Sequence, residues 1–206
     1  MRTNYHIHSS IRLEDEPVQK LKEQAGELLM AKMMETRSIL LSGEVNKELA
    51  ERVVRQLLLM ESSSDDPIKV FIDSPGGDVD AGYAIFDMLR FVKPKVYTIG
   101  MGLVASAGAL ILLAAPKDRR IGLPNSHYLI HQPLSGIRGN ATEIEIHARE
   151  IERTKVKLNH LIADETGQPL DKVEKDTDRD YWMSAPEAQE YGLLDHIVTT
   201  RAELNI

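Results

Sequence analysis

Residues 68–115, IKVFIDSPGGDVDAGYAIFDMLRFVKPKVYTIGMGLVASAGALILLAA, decide the fold class. Ile68 to Ile72 is a short apolar run rich in β-branched side chains and reads as a buried strand. The following DSPGGDV, from Asp73, reads as a turn, and Ala81 to Phe91 spaces Ala84, Ile85, Met88 and Leu89 along one face of a helix. The unit recurs at once: Lys95 to Ile99 as strand, a glycine-rich turn through Gly102, and a helix from Ser106 to Ala115 that Pro116 stops. Strands alternating with helices predict an α/β fold.

Upstream, Ser38 to Leu41 predicts a strand, and Asn46 is placed to N-cap a helix whose Leu49, Val53 and Leu57 form one face. Earlier still, Val18, Leu21, Ala25, Leu28 and Lys32 stand three or four apart behind Pro17, as in an amphipathic helix. Residues 1–16 are then expected as a flexible arm and residues 17–206 as a single domain. Downstream, Ile121 to Gly122 and His127 to His131 read as strands around an LPNS turn, followed by the loop QPLSGIRGNA. Thr142 and Glu145 fit a capping box, Ile144, Ala148, Ile151, Leu158 and Ile162 share a stripe, and Gly167 stands where a C-cap belongs. A helix from Thr142 to Thr166 would reach roughly 36 Å, more than a compact domain of this size needs. It is expected to protrude and meet another subunit. Ser184 and Glu187 open a short helix that Gly192 closes, and Leu193 to Val198 predict a last strand.

A chain of 206 residues is one domain's worth, and 42% hydrophobic with 28% charged residues marks it as globular. The absence of cysteine removes disulfides, thiolate nucleophiles and cysteine-held metals as options. A net charge of -7 gives no basic footprint for nucleic acid, so none is expected as a partner. MRTNYHIHSSIRLEDEP lacks the apolar core of an export signal and carries acids, which points to the cytoplasm. Val96 to Pro116 runs without a charge, but Gly100, Gly102, Ser106 and Gly108 punctuate it. A buried strand turning into a buried helix is expected there, not a membrane span.

Ser106 lies at the expected strand-to-helix turn in GMGLVASAGAL, where a helix N-terminus offers unpaired N–H groups to an oxyanion. Taken alone, the segment equally fits a small residue at a tight turn, and it is not the G-x-S-x-G elbow, because Val104 stands two before the serine. A serine nucleophile needs a base, and imidazole, with a free pKa of about 6.5, is the usual one. Of the seven histidines, His131 ends an apolar strand and enters a loop, where catalytic side chains are often presented; His127 shares its face and stays open. Spacing cannot choose the carboxylate among 32 acidic residues. Gly76 and Gly77 form a second glycine-rich turn, which is either plain or half of an oxyanion hole built jointly with the first.

SPGGDVDAGYAIFDMLRF, GLVASAGA, LPNSHYLIHQPLSG, GNATEIEIHAREI and DTDRDYWMSAPEAQEYGLLD together resemble the ClpP family, the proteolytic subunit of the Clp protease, from about Arg37 to Thr199. The resemblance implies a crotonase-like α/β fold of repeated β-β-α units with a protruding handle at about 134–166, and two stacked seven-membered rings enclosing a chamber. It implies Ser106 as nucleophile, His131 as base and Asp180 as third member, with the backbone N–H groups of Gly77 and Ala107 as the oxyanion hole. It implies no cofactor and no metal. Asp178 and Arg179 match charges at the ring contact. The implied partner is an AAA+ unfoldase of the ClpX, ClpA or ClpC type, feeding unfolded polypeptides.

Phe71, Ile99, Met101, Ile121, Leu123 and Val198 fall on positions that in the family line a hydrophobic docking cleft; plain core is the alternative. Lys69 replaces an aromatic residue there, Ala107 stands where many members have Met, and Ser135 where they often have Gly. GELLMAKMMETRS replaces the usual segment before the first strand. These departures suggest a divergent paralogue, in a homo- or hetero-oligomer, that acts in a mixed ring or needs a partner before its triad assembles. The rival readings are a catalytically weak or silent ring subunit and a crotonase-type acyl-CoA enzyme, the latter disfavoured by Ser106, His131 and Asp180.

Overall fold

The computed structural model describes residues 25–26, 28–204 and 206. The expected arm lies outside them. The helix expected behind Pro17 is helical over residues 28–35 (α1), and the start placed for it falls outside the described residues. The chain divides into two units, one ending at Thr36 and one running from Arg37 to Ile206.

In the second unit the order is β1 (Ser38–Ser42), α2 (Lys47–Ser63), β2 (Ile68–Ser74), α3 (Val79–Phe91), β3 (Val96–Ala105), α4 (Ala107–Leu112), β4 (Arg120–Gly122) and β5 (His127–Ile130). Then follow α5 (Ala141–Thr166), α6 (Leu170–Thr177), β6 (Tyr181–Ser184), α7 (Ala185–Tyr191) and β7 (His196–Ile197). One sheet runs β1-β2-β3-β4-β7 with every pair parallel. β5 adds parallel to β3, and β6 antiparallel to β5. Parallel pairs require crossovers, which α2 and α3 supply. Asn46 caps α2 by accepting from the Leu49 N–H (2.9 Å), and Asp78 caps α3 by accepting from the Ala81 N–H (2.7 Å). Leu49, Val53 and Leu57 of α2 and Ile85 of α3 are buried with Ile68, Val70 and Ile72. Each such side chain contributes roughly 1.5–3 kcal/mol when fully buried.

β3 differs from its expected shape. The glycines at 100 and 102 do not end the strand, which runs ten residues to Ala105. Its first half pairs with β2 and β4, and residues 103–105 pair with β5. Gly102 absorbs the change of partner at φ +56°, and the Asp73 carboxylate accepts from the Leu103 N–H (3.0 Å). The strand therefore bends where a turn was expected, because its backbone groups keep partners on both sides of the bend. The helix that follows is also shorter, Ala107 to Leu112, and ends ahead of Pro116 because the buried Arg120 and the exposed Arg90 take the carbonyls of Leu113, Ala114 and Ala115.

α5 is capped by Asn140 with Glu143, not by Thr142 with Glu145. The Asn140 Oδ1 accepts from the Glu143 N–H (3.0 Å), and a Glu143 carboxylate oxygen accepts from the Asn140 N–H (3.0 Å). Asparagine at extended backbone is the better N-cap, so the box closes two residues earlier. Its 26 residues span roughly 39 Å. Residues 141–150 are all exposed, including Ile144 and Ile146, whereas Asn159, Ile162, Ala163 and Thr166 are buried. The helix thus stands clear of the unit for its first half and joins the core with its last turns. The last strand is only His196–Ile197, because Leu193 and Leu194 turn inward behind Gly192. No described helix is long and apolar enough to cross a membrane.

Of the expected docking positions, Ile99, Ile121 and Val198 form a buried cluster within the chain, with Phe71, Leu123, Tyr97 and Leu204 packed on it. The register places Leu40, Phe71, Ile99 and Ile121 in one row across the sheet. The C-terminal turn carrying Leu204 covers part of that row, which explains why core and cleft were indistinguishable by pattern. Leu40 stays exposed, and Phe71, Met101 and Leu123 are half-buried.

Candidate active site

Ser106 is the single residue joining β3 to α4, and its backbone takes φ +54° and ψ -119°. That region is strained for a side chain with a Cβ. The fold holds it from both ends: the Ser106 N–H donates to the Leu129 carbonyl (2.9 Å), and its own carbonyl accepts from the Leu110 N–H (3.0 Å). Although the local sequence is not G-x-S-x-G, the turn has the same sharp strand-to-helix form. The room that a glycine two residues earlier would provide comes from Gly76, on the turn after β2. A Cβ there would lie 2.8 Å from the Ala105 carbonyl oxygen. Val104 can then occupy its position as an ordinary buried strand residue opposite Ser74.

β5 and β6 run antiparallel with Ile130 opposite Tyr181, so the next rung brings His131 and Asp180 face to face. His131 Nδ1 lies 3.0 Å from Asp180 Oδ1, and its Nε2 lies 2.9 Å from Ser106 Oγ. The loop is fastened beside them, with the Gln132 N–H donating to the Thr177 carbonyl (2.7 Å) and its side-chain amide to the Asp178 carbonyl (2.7 Å). The imidazole is 14% exposed and the carboxylate 60% exposed, so Asp180 orients the ring from the solvent side. His127 stands at the far end of the same strand, roughly 13 Å away at ~3.3 Å per residue, and is exposed. Asp178 and Arg179 are exposed next to the site.

The N–H of Ala107 is at the first turn of α4, where no intrahelical partner exists. A Cβ on Gly76 would be 2.9 Å from that nitrogen, so the SPGG turn and the start of α4 meet. Among the described residues no hydrogen bond engages the N–H of Gly77 or of Ala107. Two free donors beside a serine hydroxyl can stabilise an oxyanion.

Sequence reading missed an apolar cavity behind Ser106, lined by Ala109, Leu110, Leu113, Ile130, Leu158 and Ile162. The handle helix contributes the last two, a contact between distant segments that no local spacing announces. It also missed the cations beneath α4. Arg120, wholly buried, donates to the carbonyls of Ala115 (2.6 Å), Leu113 (3.1 Å) and Glu165 (2.7 Å) and pairs with the Glu165 carboxylate. Arg90 donates to the Ala114 and Leu113 carbonyls and meets the same carboxylate. Burial lowers the Arg120 pKa and Glu165 opposes that shift, which keeps the guanidinium charged. The C-terminal end of the short helix behind Ser106 is thereby tied to the last turn of α5.

A serine, a histidine and a carboxylate in one hydrogen-bonded line at the ends of β3, β5 and β6 are an arrangement able to carry serine-type hydrolysis, and three comparisons place the chain among the serine-type endopeptidases. Residues 21–201 match the Clp protease family, and the chain belongs to it. It is 63% identical to the ATP-dependent Clp protease proteolytic subunit 2 of Treponema denticola, over 90% of this chain and 93% of that protein. It is 50% identical to proteolytic subunit 3 of Rhizobium meliloti, over 93% of this chain and 98% of that one. Among solved structures, a ClpP1 mutant from Listeria monocytogenes matches with a TM-score of 0.81 at 50% identity, covering 85% of this chain and 99% of that chain. The expected crotonase-like fold is borne out.

Proposed function

We propose that this chain is the proteolytic subunit of a compartmental protease and hydrolyses unfolded polypeptides by acyl-enzyme catalysis at Ser106. The observation that carries the reading is the unbroken line from Ser106 Oγ through His131 to Asp180, at 2.9 and 3.0 Å. Ser106 Oγ attacks the scissile carbonyl carbon while His131 Nε2 takes its proton. The carbonyl oxygen becomes an oxyanion held by the N–H groups of Gly77 and Ala107. Collapse breaks the C–N bond, and His131 returns the proton to the leaving amine. Water then attacks the acyl group by the same route and restores the Ser106 hydroxyl. Asp180 holds the imidazole in the tautomer with Nε2 free to accept.

An extended substrate adds beside Gly77 to Val79 and the handle loop, bound mainly through its backbone, which tolerates many sequences. The exposed first half of α5 pairs with its counterpart in another subunit, so that two seven-membered rings stack and enclose the sites. An AAA+ unfoldase delivers substrate, in the cytoplasm. The complete Ser-His-Asp line counts against a silent subunit and against acyl-CoA chemistry on the same fold.

The test is Ser106→Ala in the purified assembly, assayed with a fluorogenic peptide and a serine-directed fluorophosphonate. Loss of both cleavage and labelling with the assembly intact supports the reading. Labelling that persists moves the nucleophile elsewhere.

A further inference from the structure

Ser74 ends β2 and is wholly buried. Its Oγ donates to the Gly43 carbonyl (2.6 Å) and accepts from the Gly76 N–H (3.1 Å). α4 passes so near that a Cβ on Gly108 would lie 3.3 Å from the Ser74 Cβ. One hydroxyl thus joins the exit of β1, the glycine turn and the neighbourhood of the helix that begins after Ser106. Pro75 has no N–H, so the first donor after Ser74 is that of Gly76, and the serine takes it in a tight local turn.

The next peptide is fixed from the other side. The Gly76 carbonyl accepts from the Val45 N–H (2.8 Å). Because a trans peptide is planar, the N–H of Gly77 then points opposite to that carbonyl, away from Val45. Gly76 and Gly77 both have positive φ and lack a side chain to restrain them. Two hydrogen bonds, one of them from Ser74, hold successive peptide planes at the point where the backbone is otherwise freest.

We infer that Ser74 is a positioning residue: its buried hydroxyl sets the orientation of the Gly77 N–H that receives the oxyanion. This rests on the reading of Ser106 as nucleophile and Gly77 as oxyanion donor. Ser74 itself touches no reacting atom. Without it, substrate binds as before, while the donor no longer meets the charge that develops in the transition state.

Ser74→Ala in the full assembly tests this, with turnover normalised to titrated active sites. The expected kcat loss is on the order of 10- to 100-fold, short of the 10²–10³ seen when a donor is removed outright. KM stays within about twofold, and the affinity for a peptide boronic acid, whose adduct oxygen sits where the oxyanion forms, falls by the same factor as kcat. The acid limb of the pH profile keeps its midpoint, since His131 and Asp180 are untouched, and Ser74→Thr restores most of the turnover. Unchanged kcat and boronate affinity overturn the inference, as does a change in KM alone. Ser106→Ala is run beside it: an active Ser106→Ala enzyme sinks the underlying site, whereas an inactive one beside a fully active Ser74→Ala enzyme sinks only the role of Ser74. Should Ser74→Ala fail to assemble, amide exchange in the unmutated assembly decides. A protected Gly76 amide, with a Gly77 amide that slows only when the boronate binds, supports the inference; fast exchange at Gly76, or protection of Gly77 in the free enzyme, overturns it.

Discussion

A Cβ built on Gly76 would lie 2.6 Å from the Cβ of Ser106, closer than two such carbons can stand. The turn after β2 and the elbow after β3 are therefore packed backbone against backbone, and the φ of +92° at Gly76 is itself costly for any other residue. Gly76→Ala should push Ser106 off its strained turn. We expect folding stability to fall by about 1–3 kcal/mol and peptide hydrolysis to drop at least 100-fold. Thermal unfolding together with a peptide assay checks this, and an active Gly76→Ala enzyme would show that the elbow has slack that its geometry denies.

His131→Ala should remove hydrolysis as fully as Ser106→Ala, because nothing else described lies at the nucleophile to accept its proton. Imidazole accepts a proton only when neutral, so activity declines on the acid side of the profile. Asp180→Asn keeps the shape but loses the tautomer control, and a kcat loss of about 10²–10⁴ is expected. Full activity in His131→Ala would remove His131 from the role of base.

Ile144 and Ile146 are 43% and 54% exposed on the free part of α5. Replacing both with Asp leaves the unit folded and separates the rings, which sedimentation or size-exclusion measurements read directly. Leu158 is a poorer probe, because it lines the cavity behind Ser106 and would change catalysis by contact. A double variant that still runs as the full assembly contradicts the handle reading.

Glu165→Ala leaves the buried guanidinium of Arg120 without its carboxylate. Removing one partner of a buried pair costs about 3–5 kcal/mol, reduced toward 2–3 here because the Glu165 side chain is 20% exposed. Peptidase activity should fall with it, since the same arginine holds the carbonyl end of α4. Chemical denaturation of the variant gives the first quantity and active-site titration the second. A variant as stable as the parent would mean that the carbonyls alone satisfy Arg120.

Lys69 sits two residues from Phe71 on the half-covered face of the sheet, and its pKa is lowered by burial, then by Arg201 and Arg37. A cation beside that apolar row, between Ser38 and Tyr97, opposes entry of an apolar loop from an unfoldase. We expect weak unfoldase binding by this chain alone and tighter binding by Lys69→Tyr. Affinities that agree within error, or tight binding by the parent, would leave Lys69 without a role in docking.

Local pattern determined a good deal of this protein by itself. The period of apolar residues marked β2, α2 and α3, and the caps at Asn46, Ser184 and Gly167 were legible because each depends on neighbours within a few residues. Ser106, His131 and Gly77 stood out as residue types at element ends, and Asp180 came only from family resemblance, since spacing cannot rank acids. Tertiary structure decided the rest. Whether Gly102 turned or bent depended on Asp73 and on β5, which share the strand's hydrogen bonds from other parts of the chain. Whether Ile99, Ile121 and Val198 were cleft or core depended on Leu204 folding back over them. That His131 rather than His127 reaches Ser106 followed from the β5–β6 register, and the roles of Gly76, Ser74, Arg120 and Glu165 from contacts across 30 to 45 residues. A local sequence pattern records what a residue's own segment favours; the partner that satisfies a buried hydroxyl, carbonyl or charge is chosen by which distant segments the packed core brings together.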